Sequence, residues 1–308
     1  MASSTQDDPN AVVVNQIVQE QAEALSEYWT ESALAEAQPI GMEIDDDQAT
    51  AMFAEMATEW QAEGPQASAQ PTAPNGPAAA GWDPQLPCPL TGSTTQRVPN
   101  RTVIPYCAVG KLFMTFNGAN YVASAWTIGE SGVFTAGHCV FDNQHGAGWA
   151  DKILFVPQYH QGAEPLGRWA ATELATLKGW IVGGTDRFKY DLAAFKVDRP
   201  VRPVTGSLGW LANASPDQGC ITSIGYPAAP PFDGQEMWRS SGRCVGTVNP
   251  IQMRNDMTGG CSGGPWEVWF DGAPLSNGLN SFRYTSDPTS MYSPYFGTGF
   301  LNLQAWAQ

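Results

Sequence analysis

Residues 108–128 read Ala-Val-Gly-Lys-Leu-Phe-Met-Thr-Phe-Asn-Gly-Ala-Asn-Tyr-Val-Ala-Ser-Ala-Trp-Thr-Ile. Two β-rich runs, 108–116 and 120–128, flank Asn117-Gly118, a pair that tolerates positive φ and so suits a tight hairpin. Further short runs follow at 152–156, 188–197, 219–225, 243–248, 265–270 and 278–284, separated by Gly, Pro and Asn. Many short strands with no alternating long helix predict an all-β sandwich or barrel and argue against a parallel α/β sheet.

Upstream the texture differs. Val14, Ile17, Val18, Leu25, Tyr28 and Trp29 recur at steps of three or four and predict an amphipathic helix over 11–37, stopped by Pro39. A shorter helix is expected at 48–62, capped by Asp47, with Met52, Phe53, Met56 and Trp60 on one side. Residues 63–90 carry Pro65, Pro71, Pro74, Pro77, Pro84, Pro87 and Pro89 among Ala, Gly and Gln, and read as an extended tether without regular structure. The expected organisation is an acidic helical pro-segment or accessory segment (1–62), a tether (63–100) and a β domain (101–308).

The net charge of −15 is confined to the first quarter: residues 1–85 hold fifteen Asp or Glu and no Lys or Arg, and the remainder is balanced. No basic footprint for nucleic acid stands out. No apolar run is long enough for a spanning helix, so no membrane partner is expected. Met1 leads into Ala-Ser-Ser-Thr-Gln-Asp-Asp, with no visible signal peptide. A leader already removed, a non-standard export route and a cytoplasmic location all remain open on that reading. Six cysteines (88, 107, 139, 220, 244, 261) form no CxxC pair, which favours disulfides over a zinc site. Three disulfides allow fifteen connectivities.

Three stretches carry chemistry. Thr258-Gly-Gly-Cys-Ser-Gly-Gly-Pro265 places Ser262 among small neighbours on a turn, where the amides of Gly260 and Ser262 can hold a developing oxyanion; a plain Gly-Ser turn is the other reading. Phe134-Thr-Ala-Gly-His-Cys139 offers His138 as a base, against the plainer reading of a satisfied strand-end histidine. Phe188-Lys-Tyr-Asp-Leu-Ala-Ala-Phe-Lys-Val197 sets Asp191 at the entry of a buried strand. An imidazole N–H is a fitting partner for a carboxylate there, and a turn-capping role is the alternative. Adjacent His138 and Cys139 point to opposite faces, which argues against a shared metal ion. No cofactor is expected.

The order His, Asp, Ser and the motifs TAGHC, YDLAAFKV and TGGCSGGP resemble the signatures of chymotrypsin-like serine endopeptidases. The Gly-Gly-x-Ser-Gly-Gly-Pro form is similar to that of the secreted microbial branch containing the glutamyl endopeptidases. The resemblance covers residues 103–305. Tyr28-Trp-Thr and Ala37-Gln-Pro-Ile40 resemble leader segments preceding such domains. The resemblance implies two six-stranded antiparallel barrels divided near 200–215, with the catalytic trio in the cleft between them. It makes Ser262 the nucleophile, His138 the general base, Asp191 its orienting partner, and Ser281-Phe282-Arg283 the strand that pairs with substrate. It also implies a secreted, disulfide-bonded zymogen acting on peptides or proteins. Its N-terminal segment would be an inhibitor or folding aid, released by cleavage near Arg101-Thr102. A monomer is expected. A catalytically silent relative that binds partners through the cleft is the competing reading.

The resemblance also has gaps. Cys261 stands where animal relatives carry an aspartate, and is read as half of a disulfide with Cys244. Cys107 is read as the partner of Cys139, which leaves Cys88 with Cys220. A gapless count back from Ser262 puts Asp256 at the pocket floor, favouring Lys or Arg substrates, with a solvated turn residue as the plainer reading. Asn280 stands where glutamate-selective relatives place a histidine on the wall strand. Arg283 replaces a usual glycine and would attract an acidic side chain or narrow the cleft.

Overall fold

The computed structural model describes residues 8–17, 24–25, 27–45, 47, 62–75, 82–83, 86–246 and 250–308. Val109–Phe116 and Ala119–Thr127 form the expected hairpin, in register from Val109↔Trp126 to Phe116↔Ala119, with φ of 49° and 80° at Asn117 and Gly118. Four more strands, Gly132–Thr135, Asp151–Pro157, Trp169–Leu177 and Ala193–Val197, continue the antiparallel ladder. Pairing of Ala193–Val197 with both Gly132–Thr135 and Trp169–Leu177 closes it into a six-stranded barrel, filled by Leu112, Val133, Phe155, Leu174 and Phe195, while Trp126 and Phe134 lie on the opposite face, Phe134 against Phe296 and Phe300.

The second half is an eleven-stranded sheet around its own core of Ile221, Met253, Met257, Trp266, Val268 and Leu275. Its centre is Trp238–Gly246, paired with Cys220–Gly225, Ile251–Arg254 and Ser93–Arg97. Pro265–Phe270, Ala273–Leu279, Phe282–Tyr284 and Asp287–Ser293 complete the part that faces the cleft. The expected run 278–284 is two strands, interrupted at Asn280 and Ser281. The last helix, Thr298–Ala307, returns to the first barrel with Phe300 and Leu303 buried.

The helix expected over 11–37 is corrected. Val12–Gln16 is a strand that adds to the barrel edge at Trp169–Leu177, from Val12↔Leu177 to Gln16↔Glu173. Three consecutive β-branched valines favour that pairing over the helical spacing. Helical backbone appears at 24–25 and 27–28 and in the short helix Glu31–Glu36, whose Thr30 hydroxyl accepts from the Ala33 amide at 3.2 Å. Trp29 is buried against Phe113 and donates from Nε1 to the Lys152 carbonyl at 2.8 Å. The helix expected over 48–62, with Met52, Phe53, Met56 and Trp60, lies outside the described residues apart from residue 62.

The proline-rich stretch also departs from the expectation of no regular structure. Ala67–Ala69 pairs with Gly209–Ala212, and Thr72 bridges Ser207. Asp83 accepts from the Tyr106 hydroxyl at 2.9 Å and is ion-paired with the buried Arg239. Cys88 is disulfide-bonded to Cys220, as inferred. The other two pairings are corrected: Cys107, Cys139 and Cys261 are thiols, so neither Cys107–Cys139 nor Cys244–Cys261 forms. Prolines exclude central strands but leave edge pairing open, and this stretch uses edges.

Candidate active site

The strand Gly132–Thr135 delivers His138 on the single 3-10 turn Gly137–Cys139. A second 3-10 turn, Arg187–Tyr190, ends at Asp191 just before Ala193–Val197. Because these two strands are neighbours in the barrel, the turns that flank them bring the side chains together. The His138 amide donates to Asp191 Oδ1 at 2.7 Å, and His138 Nδ1 lies 2.9 Å from Oδ2. Asp191 is fully buried, and the Ser281 hydroxyl donates to the same Oδ2. These hydrogen bonds replace the water that a buried carboxylate loses, and they fix the ring. Burial alone would lower the His138 pKa, but the Asp191 charge, the Cys139 thiol and the hydrogen bonds from both outweigh it and hold the imidazole well above the ordinary histidine range. His138 Nε2 is buried with no hydrogen-bond partner among the described residues.

Ser262 comes from the second half, on the turn between Arg254 and Pro265. Gly263 has φ of 79°, and a Cβ there would lie 2.0 Å from Thr135 Oγ1, so only glycine fits. The Ser262 carbonyl accepts from the Ser124 amide at 2.8 Å, and the Ser124 hydroxyl donates to the Gly260 carbonyl at 2.9 Å. One residue of the hairpin thus docks the serine turn onto the barrel that carries His138 and Asp191. The sequence reading missed Ser124, since a serine inside a buried strand carries no local signal.

Asn280 is not a substrate-facing wall residue. It is fully buried behind the serine turn. Its amide donates to the Cys261 carbonyl at 3.1 Å, and its oxygen accepts from Ser223, Asn255 and Trp266. Its main chain bonds the Gly263 amide and the Gly264 carbonyl. Asp256 is corrected too. It is exposed, accepts from Ser93 and Thr95, and does not line the cleft that contains Ser262. Phe282 lines the cleft from a stack with Tyr292, ring centroids 5.0 Å apart. Arg283 lines the same cleft. The Cys261 thiol also borders it, and burial pushes this group up to about 12.

The cleft is occupied by the chain itself. The carbonyl of Ile40 accepts from the Gly260 amide at 2.6 Å and from the Ser262 hydroxyl at 3.3 Å. Glu43, three residues on, is ion-paired with Arg283, whose Nε lies 2.9 Å from Oε1. The sequence motif at 37–40 pointed to a leader, but nothing in it placed a carbonyl in the site.

No family model matches the sequence. Among solved structures, the protease Anisep from Arthrobacter nicotinovorans is 32% identical with a TM-score of 0.61, over 70% of this chain and 99% of that one. The chain belongs to the chymotrypsin-like, glutamyl-endopeptidase-like family of serine proteases. The thermostable serine protease AL20, from an extremophilic microorganism, is likewise 32% identical, with a TM-score of 0.57 over 65% of this chain and 96% of that one. A glutamyl endopeptidase of Bacillus licheniformis is 29% identical over 171 residues, 55% of this chain and 51% of that protein. The chain spans about half the length of the curated relatives it matches. In this family member the closed barrel carries His138 and Asp191 and the second half carries Ser262, so the site forms where the two halves meet.

Proposed function

We propose that this chain is a serine endopeptidase that hydrolyses peptide bonds through an acyl-enzyme on Ser262. Ser262 Oγ attacks the scissile carbonyl while His138 Nε2 takes its proton; the tetrahedral oxyanion is held by the Gly260 and Ser262 amides. Collapse breaks the C–N bond as His138 returns the proton to the leaving amine, and water then repeats the sequence to release the acid. Asp191 engages Nδ1, which leaves Nε2 as the atom that takes the proton, and it balances the imidazolium. The observation that carries this reading is the peptide carbonyl of Ile40 seated on the Gly260 amide at 2.6 Å, where a substrate carbonyl would be polarised.

The N-terminal segment is the inhibitor of this site, since its backbone fills the position a substrate would take. With Asp256 outside the cleft, Arg283 is the one Lys or Arg lining it among the described residues, and it favours acidic over basic side chains. The Cys88–Cys220 disulfide supports an oxidising, extracellular setting. Among the described residues no helix is long and apolar enough to cross a membrane.

Fluorophosphonate labelling tests the nucleophile. Ser262→Ala abolishes labelling of the full chain; labelling that persists at another residue overturns the assignment.

A further inference from the structure

The segment crosses the cleft in a defined direction. Gln38–Pro39 pairs in parallel with Tyr121 and Val122 on the first barrel, and the Ile40 amide donates to the Val122 carbonyl at 3.0 Å. After Ile40 the chain passes over the serine turn at Gly41, where a Cβ would stand 2.9 Å from Gly259 Cα. Met42–Ile44 then pairs in parallel with Phe282–Tyr284, in register Met42↔Phe282 and Glu43↔Arg283. The chain thus runs from the first half to the second, and it is parallel to both strands that it meets.

A peptide bond has a direction, and acyl transfer depends on it. The leaving nitrogen must meet the proton on His138 Nε2, and His138 belongs to the first barrel. A productive substrate therefore keeps its acyl side over Phe282–Tyr284 and sends its amine side toward Ala119–Thr127, antiparallel to both strands. Residues 38–44 do the reverse: the Gly41 nitrogen continues toward Phe282–Tyr284.

We propose that the cleft has a reverse-register mode in which the segment 38–44 binds backwards, and that this polarity is why it inhibits Ser262 without being cut. The mode asks for a carbonyl on the Gly260 amide, a glycine immediately after it, and a carboxylate three residues after the carbonyl, on Arg283. It rests on the serine endopeptidase reading above and specifies how that site is regulated. The substitution most sensitive to it is Gly41→Val, because the added side chain meets backbone rather than a movable group.

The test uses the full chain. Gly41→Val raises the rate of fluorophosphonate labelling of Ser262 about tenfold or more over wild type. Glu43→Arg, at a half-exposed position that does not endanger folding, raises it about threefold by setting two cations face to face. A synthetic peptide of residues 36–45, added to the Gly41→Val protein, slows labelling again and is recovered uncut by mass spectrometry. Cleavage of that peptide at Ile40–Gly41, absent with Ser262→Ala, overturns the reverse mode while leaving the enzyme intact. Labelling unchanged by both substitutions also overturns it. If natively folded wild type, Gly41→Val and Glu43→Arg all fail to label and to cleave peptides, the endopeptidase reading falls and this inference with it.

Discussion

The side-chain amide of Asn280 donates to the carbonyl of Cys261, one residue before Ser262, at 3.1 Å. Its oxygen meanwhile holds Ser223 at 2.8 Å, Asn255 at 3.1 Å and Trp266 at 2.8 Å. The serine turn is therefore braced from behind by one buried amide. Asn280→Asp keeps the acceptor and loses the donor, setting a carboxylate oxygen against the Cys261 carbonyl. In the Gly41→Val background kcat falls about tenfold to a hundredfold, a step below losing an oxyanion donor outright, with KM within about twofold. Steady-state kinetics separate the two, and a proportionate rise in KM would show that the effect is not on the turn.

The elevated pKa of His138 sets a pH dependence. Catalysis needs neutral Nε2, so the labelling rate of the full chain climbs with pH to a midpoint above the ordinary histidine value of 6.5. The linked stability has the opposite sense: it is fully present below that value and lost as pH rises through the folded-state pKa. Asp191→Asn removes the carboxylate, lowers the midpoint and slows the reaction about 10⁴-fold. A pH–rate profile of wild type that levels off below 6.5 would contradict the assignment.

Glu267 is buried in the second half, and burial pushes its carboxyl up to about 8. The neutral acid fits the fold better than the anion. Its contribution is therefore present below the unfolded-state value near 4.5 and lost as pH rises towards 8, a loss on the order of 3–5 kcal/mol. Glu267→Gln removes that dependence. Thermal melts would show the variant several degrees higher than wild type at pH 8 and close to it at pH 4.

Arg239, at 8% exposure, is ion-paired with Asp83, and its Nη1 donates to the Tyr106 hydroxyl at 2.6 Å. Asp83→Ala leaves that guanidinium buried without its counter-charge and costs about 3 kcal/mol, whereas Asp83→Ala with Arg239→Met recovers most of the loss. Denaturant titrations of both variants give the comparison. A negligible loss in the single variant would mean that the Asp83 stretch is only loosely seated.

What could be read in advance follows a physical line. The hairpin at Asn117-Gly118 and the turn around Ser262 were legible because small residues and positive φ mark them locally, whereas His138 and Asp191 were legible through the chemistry of their motifs and the order in which the three occur. Trp169–Leu177 escaped notice since Ala170, Ala171, Glu173 and Leu174 are good helix formers, and only barrel closure makes them a strand. Val12–Gln16 was misread for the same reason: its partner lies more than 150 residues away. Asp256 failed because a gapless count along a loop carries no information about where the loop turns. An inhibitory leader could be expected from residues 37–40, but its contacts could not, because Ile40 and Glu43 act through a carbonyl and one charge at positions set by the whole fold.

Any cleavage between the N-terminal segment and the first barrel would meet the bond between Cys88 and Cys220. A nick at Arg101–Thr102 would separate two polypeptides in sequence but not in mass, since everything upstream stays attached through sulfur. Such an enzyme would migrate as one species on a denaturing gel until a reductant is added, and only then would the upstream chain of 101 residues come away.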